Sequence, residues 1–209
     1  MDGVCMCTTL IVPGLNGSPN GHWQDHWLKD DPSAKRVDQD DRHCPVLADW
    51  LSRLEAALAT VEEAYVVAHS LGCVLIANMA RRPLAAKIKA ALMVAPASLE
   101  KVELLHPCIV RFGSFPTLHL PFPSLVVGST TDPYMDADEV TQTARLWGSD
   151  LINLGDVGHL NIASGFGRWP EGYSLLDQLR SSDENSGRDA VIRIPAARIQ
   201  EASPSLVIG

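Results

Sequence analysis

Short runs of apolar and β-branched residues alternate along the chain with longer stretches in which apolar residues recur every three or four positions. The short runs are typical of buried strands, and the longer stretches have the period of amphipathic helices. Strands and helices that alternate in this way form a parallel sheet with helical crossovers, so the pattern predicts an α/β fold with about six strands. The predicted strands cover residues 8–13, 36–39, 65–68, 89–95, 125–128 and 150–154, and the predicted helices cover 46–61, 71–80, 136–147 and 173–180.

Two segments depart from this alternation. Residues 98–123 contain four prolines and three phenylalanines without a regular period, and we expect an irregular connection there. From residue 181 onward the chain is rich in Ser, Asp, Glu, Asn, Gly and Arg, which disfavours a packed core. We therefore predict one folded domain over residues 1–180 and a flexible tail over residues 181–209.

The composition fits a globular domain and narrows its partners. A chain of 209 residues with 46% apolar content can bury roughly 70% of the surface that its unfolded form exposes. Seventeen basic against twenty-five acidic residues give a net charge of −8, which argues against nucleic acid as a partner. The N-terminal residues include Asp2 and a short, interrupted apolar run, so we expect neither a signal peptide nor a membrane span, and a cytoplasmic protein.

The five cysteines are an odd number scattered through mostly apolar surroundings. Such a set fits reduced thiols better than a disulfide framework. No C-x-x-C pair occurs and no His lies near Cys5 and Cys7, so we expect no metal site there. The five are Cys5, Cys7, Cys44, Cys73 and Cys108.

The segment VVAHSLG, residues 66–72, carries the strongest chemical signal. A predicted strand runs directly into a predicted helix through a turn that contains Ser70, with small residues at Ala68 and Gly72 on either side. This arrangement predicts a nucleophile elbow, in which a strained turn presents the serine hydroxyl above the edge of the sheet. Ala68 stands where the G-x-S-x-G pattern has its first glycine. In isolation the same pattern also fits a buried turn serine that caps a helix.

Two further residues follow predicted strands in the order Ser, Asp, His. Asp132 comes shortly after the strand over residues 125–128, and His159 comes shortly after the strand over residues 150–154. This is the chain order of an α/β-hydrolase triad, in which His takes the serine proton and Asp orients the imidazole. Asp156 and Asp136 are alternatives for the acid.

Three other histidines are alternatives to His159 as the base. His69 is next to the predicted nucleophile, but we expect it to point away from that face of the turn. His106 and His119 lie in the irregular segment. His159 is therefore the favoured base.

The glycine-rich loop after the first predicted strand, residues 13–23, is the candidate second half of an oxyanion hole. We expect the backbone N–H groups of Leu15 and Leu71 to bind the oxyanion, with Asn16 as the nearest substitute. A flexible Asn-Gly turn is the other interpretation. Trp23, Phe112 and Phe115 are candidates for the substrate pocket, although Trp23 and Trp27 also have the spacing of one packed helix face.

Four motifs, PGLNGSPNGHWQDHW, VVAHSLGC, STTDPY and GDVGHLN, resemble in this order those of the retinoblastoma-binding-protein-nine-like (YdeN-like) family of small serine hydrolases. The resemblance spans about residues 8–180. It implies a compact α/β-hydrolase fold without a large lid, a triad of Ser70, Asp132 and His159, and esterase activity on small acyl substrates. Arg42 stands where the family often has an aromatic residue. The L-x-C-x-E motif through which the animal member binds a pocket protein is absent, so no protein partner is implied.

These observations lead to the hypothesis of a serine hydrolase that cleaves a small carboxylic ester, or an amide, through an acyl-enzyme. The reaction requires no metal and no organic cofactor. The alternative is a non-catalytic binding protein on a hydrolase scaffold. A lipase for long acyl chains is disfavoured, because residues 98–123 leave little chain for a mobile lid.

Overall fold

A computed structural model describes residues 7–186 of the chain. The strands form one sheet of six parallel strands in the order β2-β1-β3-β4-β5-β6, so the predicted α/β fold and strand number are confirmed. The strands are β1 (Thr8–Val12), β2 (Ala34–Arg36), β3 (Ala64–His69), β4 (Ile88–Val94), β5 (Ser124–Gly128) and β6 (Asp150–Asn153). The α-helices are α1 (Trp23–Asp30), α2 (Leu47–Ala59), α3 (Leu71–Ala77), α4 (Leu99–Leu105), α5 (Ala137–Trp147) and α6 (Pro170–Ser186).

Helices cover both faces of the sheet, which explains why its central strands are continuous apolar runs. Every residue of β3 is buried. One apolar cluster contains side chains of α2, α3, α4 and α5, and the other contains side chains of α1 and α6. The sheet is thus closed above and below, and the carboxyl ends of its strands are the edge at which loops can build a site.

The structure differs from the predicted elements in four main places. Helix α1 was not among the predicted helices, although the spacing of Trp23 and Trp27 fits a packed helix face. Helix α4 lies within the segment predicted to be irregular, residues 98–123. Strand β2 covers Ala34–Arg36 instead of residues 36–39, because these three residues pair in parallel register with β1. Helix α6 continues to Ser186, past the predicted domain end at residue 180, and the rest of the predicted tail, 187–209, lies outside the described residues.

The expectation of reduced thiols is wrong for Cys44 and Cys108, which form a disulfide. Their Cα atoms are 5.4 Å apart although 64 residues separate them in sequence. A single parallel bridge between Val46 and Arg111 brings the two segments together. Cys7 and Cys73 are free, and Cys5 lies outside the described residues. Because disulfides persist mainly in oxidising compartments, the bridge removes one ground for expecting a cytoplasmic protein.

Within the described residues, no helix is both long enough and apolar enough to cross a membrane.

Candidate active site

Ser70 occupies the sharp turn between β3 and α3. Its φ and ψ angles are 55° and −125°, a strained combination for a residue other than glycine. The turn is held in place because the Ser70 N–H donates to the Val94 carbonyl of β4 at 3.0 Å. A Cβ atom added at Gly72 would lie 2.5 Å from the carbonyl oxygen of Val12, so only glycine allows α3 to approach β1 this closely. The local structure is therefore that of a nucleophile elbow.

Asp132, His159 and Ser70 form a continuous hydrogen-bonded chain. Nε2 of His159 lies 2.9 Å from Oγ of Ser70. Nδ1 of the same ring lies 2.9 Å and 2.8 Å from the two carboxylate oxygens of Asp132. All three residues are buried. We call Ser70, Asp132 and His159 the sheet-end group, because they follow β3, β5 and β6, respectively.

The alternative acids are engaged elsewhere. Asp156 accepts a hydrogen bond from the Thr131 hydroxyl at 2.5 Å. Asp136 caps α5 by accepting from the Glu139 N–H. Asp132 is thus the candidate acid that contacts His159.

Neighbouring groups fix the position of His159. Its backbone N–H donates to the Ser164 hydroxyl at 3.0 Å, and the Tyr134 ring packs against the imidazole with centroids 4.4 Å apart. His69 was expected to point away, but the structure places it in the cleft, where its Nε2 donates to the His159 carbonyl at 3.0 Å. Burial, together with nearby His159 and His22, holds the pKa of His69 well below its usual range. His69 therefore acts on His159 as a neutral hydrogen-bond donor.

The loop after β1 and the start of α3 provide backbone N–H groups close to Ser70. Within the part of the chain that the structure describes, neither Leu15 N–H nor Leu71 N–H has a backbone or side-chain acceptor. Asn16 was the expected substitute for Leu15 as a donor to the oxyanion. Its N–H is not available, because it donates to the Arg42 carbonyl at 2.8 Å. Leu15 and Leu71 are thus the available pair, and the N–H of Leu71 also lies at the positive end of α3.

The side chain of Asn16 links two distant segments at the mouth of the cleft. Its Oδ1 lies 2.6 Å from Nδ1 of His43, and its Nδ2 lies 3.2 Å from Nε2 of His106. His43 precedes Cys44, and the Cys108 N–H donates to Nδ1 of His106 at 3.3 Å. We call Asn16, His43, Cys44, His106 and Cys108 the rim.

A cleft of about 250 Å³ is lined by Ser70 and His159 of the sheet-end group and by Asn16 and His106 of the rim. This volume lies at the small end of ligand pockets. Its walls include Ser70, Leu15, Val102, Tyr134 and Ile162, together with four histidines, His22, His69, His106 and His159.

The structure does not bring the three predicted pocket aromatics into this cleft. Trp23 is fully buried, and its indole N–H donates to the Leu160 carbonyl at 2.9 Å. Phe112 is buried against Trp50. Phe115 stacks on Trp147 and lines a different cavity, between α4 and α5. Their prediction as pocket residues is therefore wrong, because spacing along the chain does not show which cavity an aromatic ring faces.

Sequence reasoning missed His22, which lines the cleft. The imidazole caps α1, since its Nδ1 accepts from the Gln24 N–H at 3.2 Å. The position of His22 directly before a helix was the only available signal, and histidine is an uncommon cap.

No group of three or more His, Cys, Asp or Glu side chains that could hold a metal ion occurs within residues 7–182, whose side chains the structure describes.

Comparisons with known proteins identify the family and the fold. A family model described as serine hydrolase matches residues 9–178. Among solved structures, a protein from Pectobacterium atrosepticum described as a YdeN-like hydrolase is 26% identical, with a TM-score of 0.76 over 85% of this chain and 92% of its own. The ydeN gene product of B. subtilis is 24% identical, with a TM-score of 0.68 over 84% of this chain and 99% of its own.

More distant structures share the fold alone. Esterase 2 of Thermogutta terrifontis is 15% identical, with a TM-score of 0.57 over 85% of this chain and 82% of its own. A search of curated proteins found no match.

Proposed function

The chain belongs to the serine hydrolase family, and we propose that it hydrolyses small carboxylic esters through an acyl-enzyme formed on Ser70. The observation that carries the proposal is the chain of hydrogen bonds from Asp132 through His159 to Ser70, at the wall of a cleft. A free serine hydroxyl at neutral pH is a weak nucleophile. Because the reaction needs a serine oxygen that loses its proton, an adjacent base such as His159 is required.

In the first half of the proposed reaction, Ser70 Oγ attacks the ester carbonyl while its proton passes to His159 Nε2. Asp132 accepts from Nδ1–H, which keeps the Nε2 lone pair directed at Ser70 and stabilises the imidazolium that forms. The imidazolium then gives its proton to the leaving alcohol, and the acyl group stays on Ser70.

In the second half, water enters the position that the alcohol has left. His159 Nε2 takes a proton from this water, and the resulting hydroxide attacks the acyl carbonyl. Collapse of the second tetrahedral intermediate returns the proton to Ser70 and releases the carboxylic acid. The backbone N–H groups of Leu15 and Leu71 would hold the negative oxygen of both intermediates, an interaction that strengthens as charge develops.

The size of the cleft supports a small substrate. A volume of about 250 Å³ accommodates a short acyl chain and a small alcohol, but not an extended lipid. An amide of the same size would fit equally well, and the same steps would cleave it, with an amine in place of the alcohol.

The test is turnover of p-nitrophenyl acetate and p-nitrophenyl butyrate by the wild type, Ser70→Ala and Ser52→Ala. Ser52 lies on the exposed face of α2 and serves as the matched control. We expect Ser70→Ala to lower kcat by at least about 10⁴-fold, because the members of such a group act as a unit. Ser52→Ala should match the wild type, and circular dichroism should show the same fold for all three proteins.

Equal turnover by the wild type and Ser70→Ala would overturn the proposal. Absence of turnover by the wild type on both esters and on the matched p-nitroanilides would favour the alternative of a binding protein on a hydrolase scaffold.

A further inference from the structure

The cleft contains a polar group that the proposed reaction does not use, the imidazole of His22. The side chain is 3% exposed and lines the cleft together with His69 and Ser70. The ring centroids of His22 and His69 are 5.0 Å apart, and those of His69 and His159 are 4.9 Å apart. His22 is therefore the outer member of a row of three imidazoles that ends at the candidate base.

The hydrogen bonds of His22 define which nitrogen carries its proton. Nδ1 accepts from the Gln24 N–H, so Nδ1 must present a lone pair. In a neutral imidazole the proton is then on Nε2, which makes Nε2 a donor. Nε2 has no hydrogen-bond partner within the described part of the chain. The cleft thus has an N–H group without a protein acceptor.

This donor is held in a fixed position by the next residues of α1. Gln24 is fully buried, and its side-chain nitrogen donates to the carbonyls of Val12 and Val67 at 3.3 Å and 3.1 Å. These carbonyls belong to β1 and β3, so Gln24 anchors the first turn of α1 to the sheet. A donor anchored in this way loses little conformational entropy when it binds a ligand.

The surroundings favour a neutral acceptor over an anion. None of the described residues that line the cleft is Lys or Arg, so a second carboxylate on the substrate would lack a cationic partner. Burial, and to a lesser degree nearby His159, lowers the pKa of His22 to about 4. The ring therefore stays neutral near pH 7.

We propose that His22 is a specificity-determining residue whose Nε2–H binds a neutral acceptor oxygen, such as an ether or hydroxyl oxygen, a few bonds from the scissile ester. This inference rests on the proposed function, since it names the substrate class of the same site. The oxygen can belong to the acyl part or to the alcohol part, and the chemistry of recognition is the same in both cases.

Two pairs of esters of matched shape separate these sources. For the acyl side, p-nitrophenyl methoxyacetate is compared with p-nitrophenyl butyrate, which has CH₂ in place of the ether oxygen. For the alcohol side, 2-methoxyethyl acetate is compared with butyl acetate. The measured quantity in each pair is the ratio of kcat/KM for the oxygen ester to kcat/KM for the carbon ester, and its change between variants cancels differences in intrinsic reactivity.

The main variant is His22→Asn, whose Oδ1 can still accept from the Gln24 N–H while the Nε2 donor is lost. We expect the ratio for one pair to fall by about fivefold, the worth of one hydrogen bond between neutral groups. His22→Gln, which can place an amide N–H near the position of Nε2, should restore part of that ratio. If His22→Asn does not fold, His22→Ser retains a capping oxygen and tests the same loss.

The matched control is His26→Asn, because His26 lies on the same helix and does not line the cleft. Its ratios should equal those of the wild type. The pair whose ratio falls in His22→Asn identifies the side of the substrate that carries the acceptor. Ratios that stay within twofold of the wild type for both pairs would overturn the inference.

Failure of this inference is distinguishable from failure of the proposed function. Labelling by a fluorophosphonate reports on Ser70 directly and needs no acceptor oxygen on the ligand. If the wild type is labelled at Ser70 and the ratios do not respond to His22, only the role of His22 is wrong. If the wild type is not labelled at Ser70, the proposed function fails as well.

Discussion

Residues of the sheet-end group and of the rim line the same cleft, but different interactions hold the two groups in place. Ser70, Asp132 and His159 follow strands whose backbones are paired in one parallel sheet. The rim is assembled from the segments around residues 16, 43–44 and 106–108, which are joined by side-chain hydrogen bonds, one short backbone bridge and a disulfide.

This difference predicts two kinds of mutational response. A side chain of the sheet-end group can be replaced without removing any backbone hydrogen bond of the sheet, so chemistry should be lost while the fold remains. A link of the rim closes a long loop, so its removal should change the stability of the fold and the shape of the cleft more than the chemistry itself.

The largest effect is expected from Asp132→Asn. The amide cannot accept from His159 Nδ1–H as a carboxylate does and favours the wrong tautomer of the imidazole, so kcat should fall by about 10⁴-fold. The free energy of unfolding, measured by urea titration, should change by much less than the activation free energy that corresponds to a 10⁴-fold change in rate.

Asp156→Asn is the matched control for this substitution, because Asp156 is exposed and accepts only from Thr131 among the described side chains. Its kcat should be that of the wild type. A large loss in Asp156→Asn together with a small loss in Asp132→Asn would exchange the roles of the two carboxylates.

The second effect concerns stability and lies in the rim. Replacing both Cys44 and Cys108 by Ser opens a loop closed over a separation of 64 residues. In the chain-entropy account, opening a loop of this length lowers the free energy of unfolding by about 4 kcal/mol. Urea unfolding of the oxidised wild type and of the double variant measures the difference.

Two controls show whether the effect comes from the disulfide. Dithiothreitol should destabilise the wild type toward the double variant and leave the double variant unchanged. Cys7→Ser should respond to dithiothreitol as the wild type does, since Cys7 is a free thiol. Equal stability of wild type and double variant under oxidising conditions would show that the bridge does not constrain the chain.

The smallest effect is expected from Asn16→Gly. Glycine keeps the left-handed backbone of this position, where φ is 61°, and removes only the side chain between His43 and His106. Loss of hydrogen bonds worth about 1 kcal/mol each should lower kcat/KM by about five- to tenfold through poorer placement of the Leu15 N–H. Asn20→Gly, in an exposed part of the same loop, should leave kcat/KM unchanged.

The sequence was informative where function depends on local structure. Ser70 is positioned by a strand, a turn and a helix that are contiguous in sequence, and Asp132 and His159 each follow a strand that could be recognised by its apolar run. The four inner strands, β1, β3, β4 and β5, were predicted for the same reason, because parallel strands buried on both faces carry uninterrupted apolar residues. The edge strand β2 is mostly exposed, and its predicted bounds were less accurate.

Features that depend on contacts between distant segments could not be predicted in this way. Neither the pairing of Cys44 with Cys108 nor the contacts of Asn16 with His43 and His106 has a local signal. Phe112 and Phe115 were predicted to line the substrate pocket and do not, because sequence spacing does not show which cavity a ring faces. Helix α4 was missed because it is only seven residues long and lies in a proline-rich segment.

The most direct test of the account is the site of covalent labelling by a fluorophosphonate, read by mass spectrometry of peptides from the full chain. We expect one modified residue, Ser70, in the wild type and in Ser52→Ala, and no modification in Ser70→Ala. Labelling of a different serine, or no labelling of a folded wild type that is otherwise intact, would contradict the central claim that Ser70 is the nucleophile.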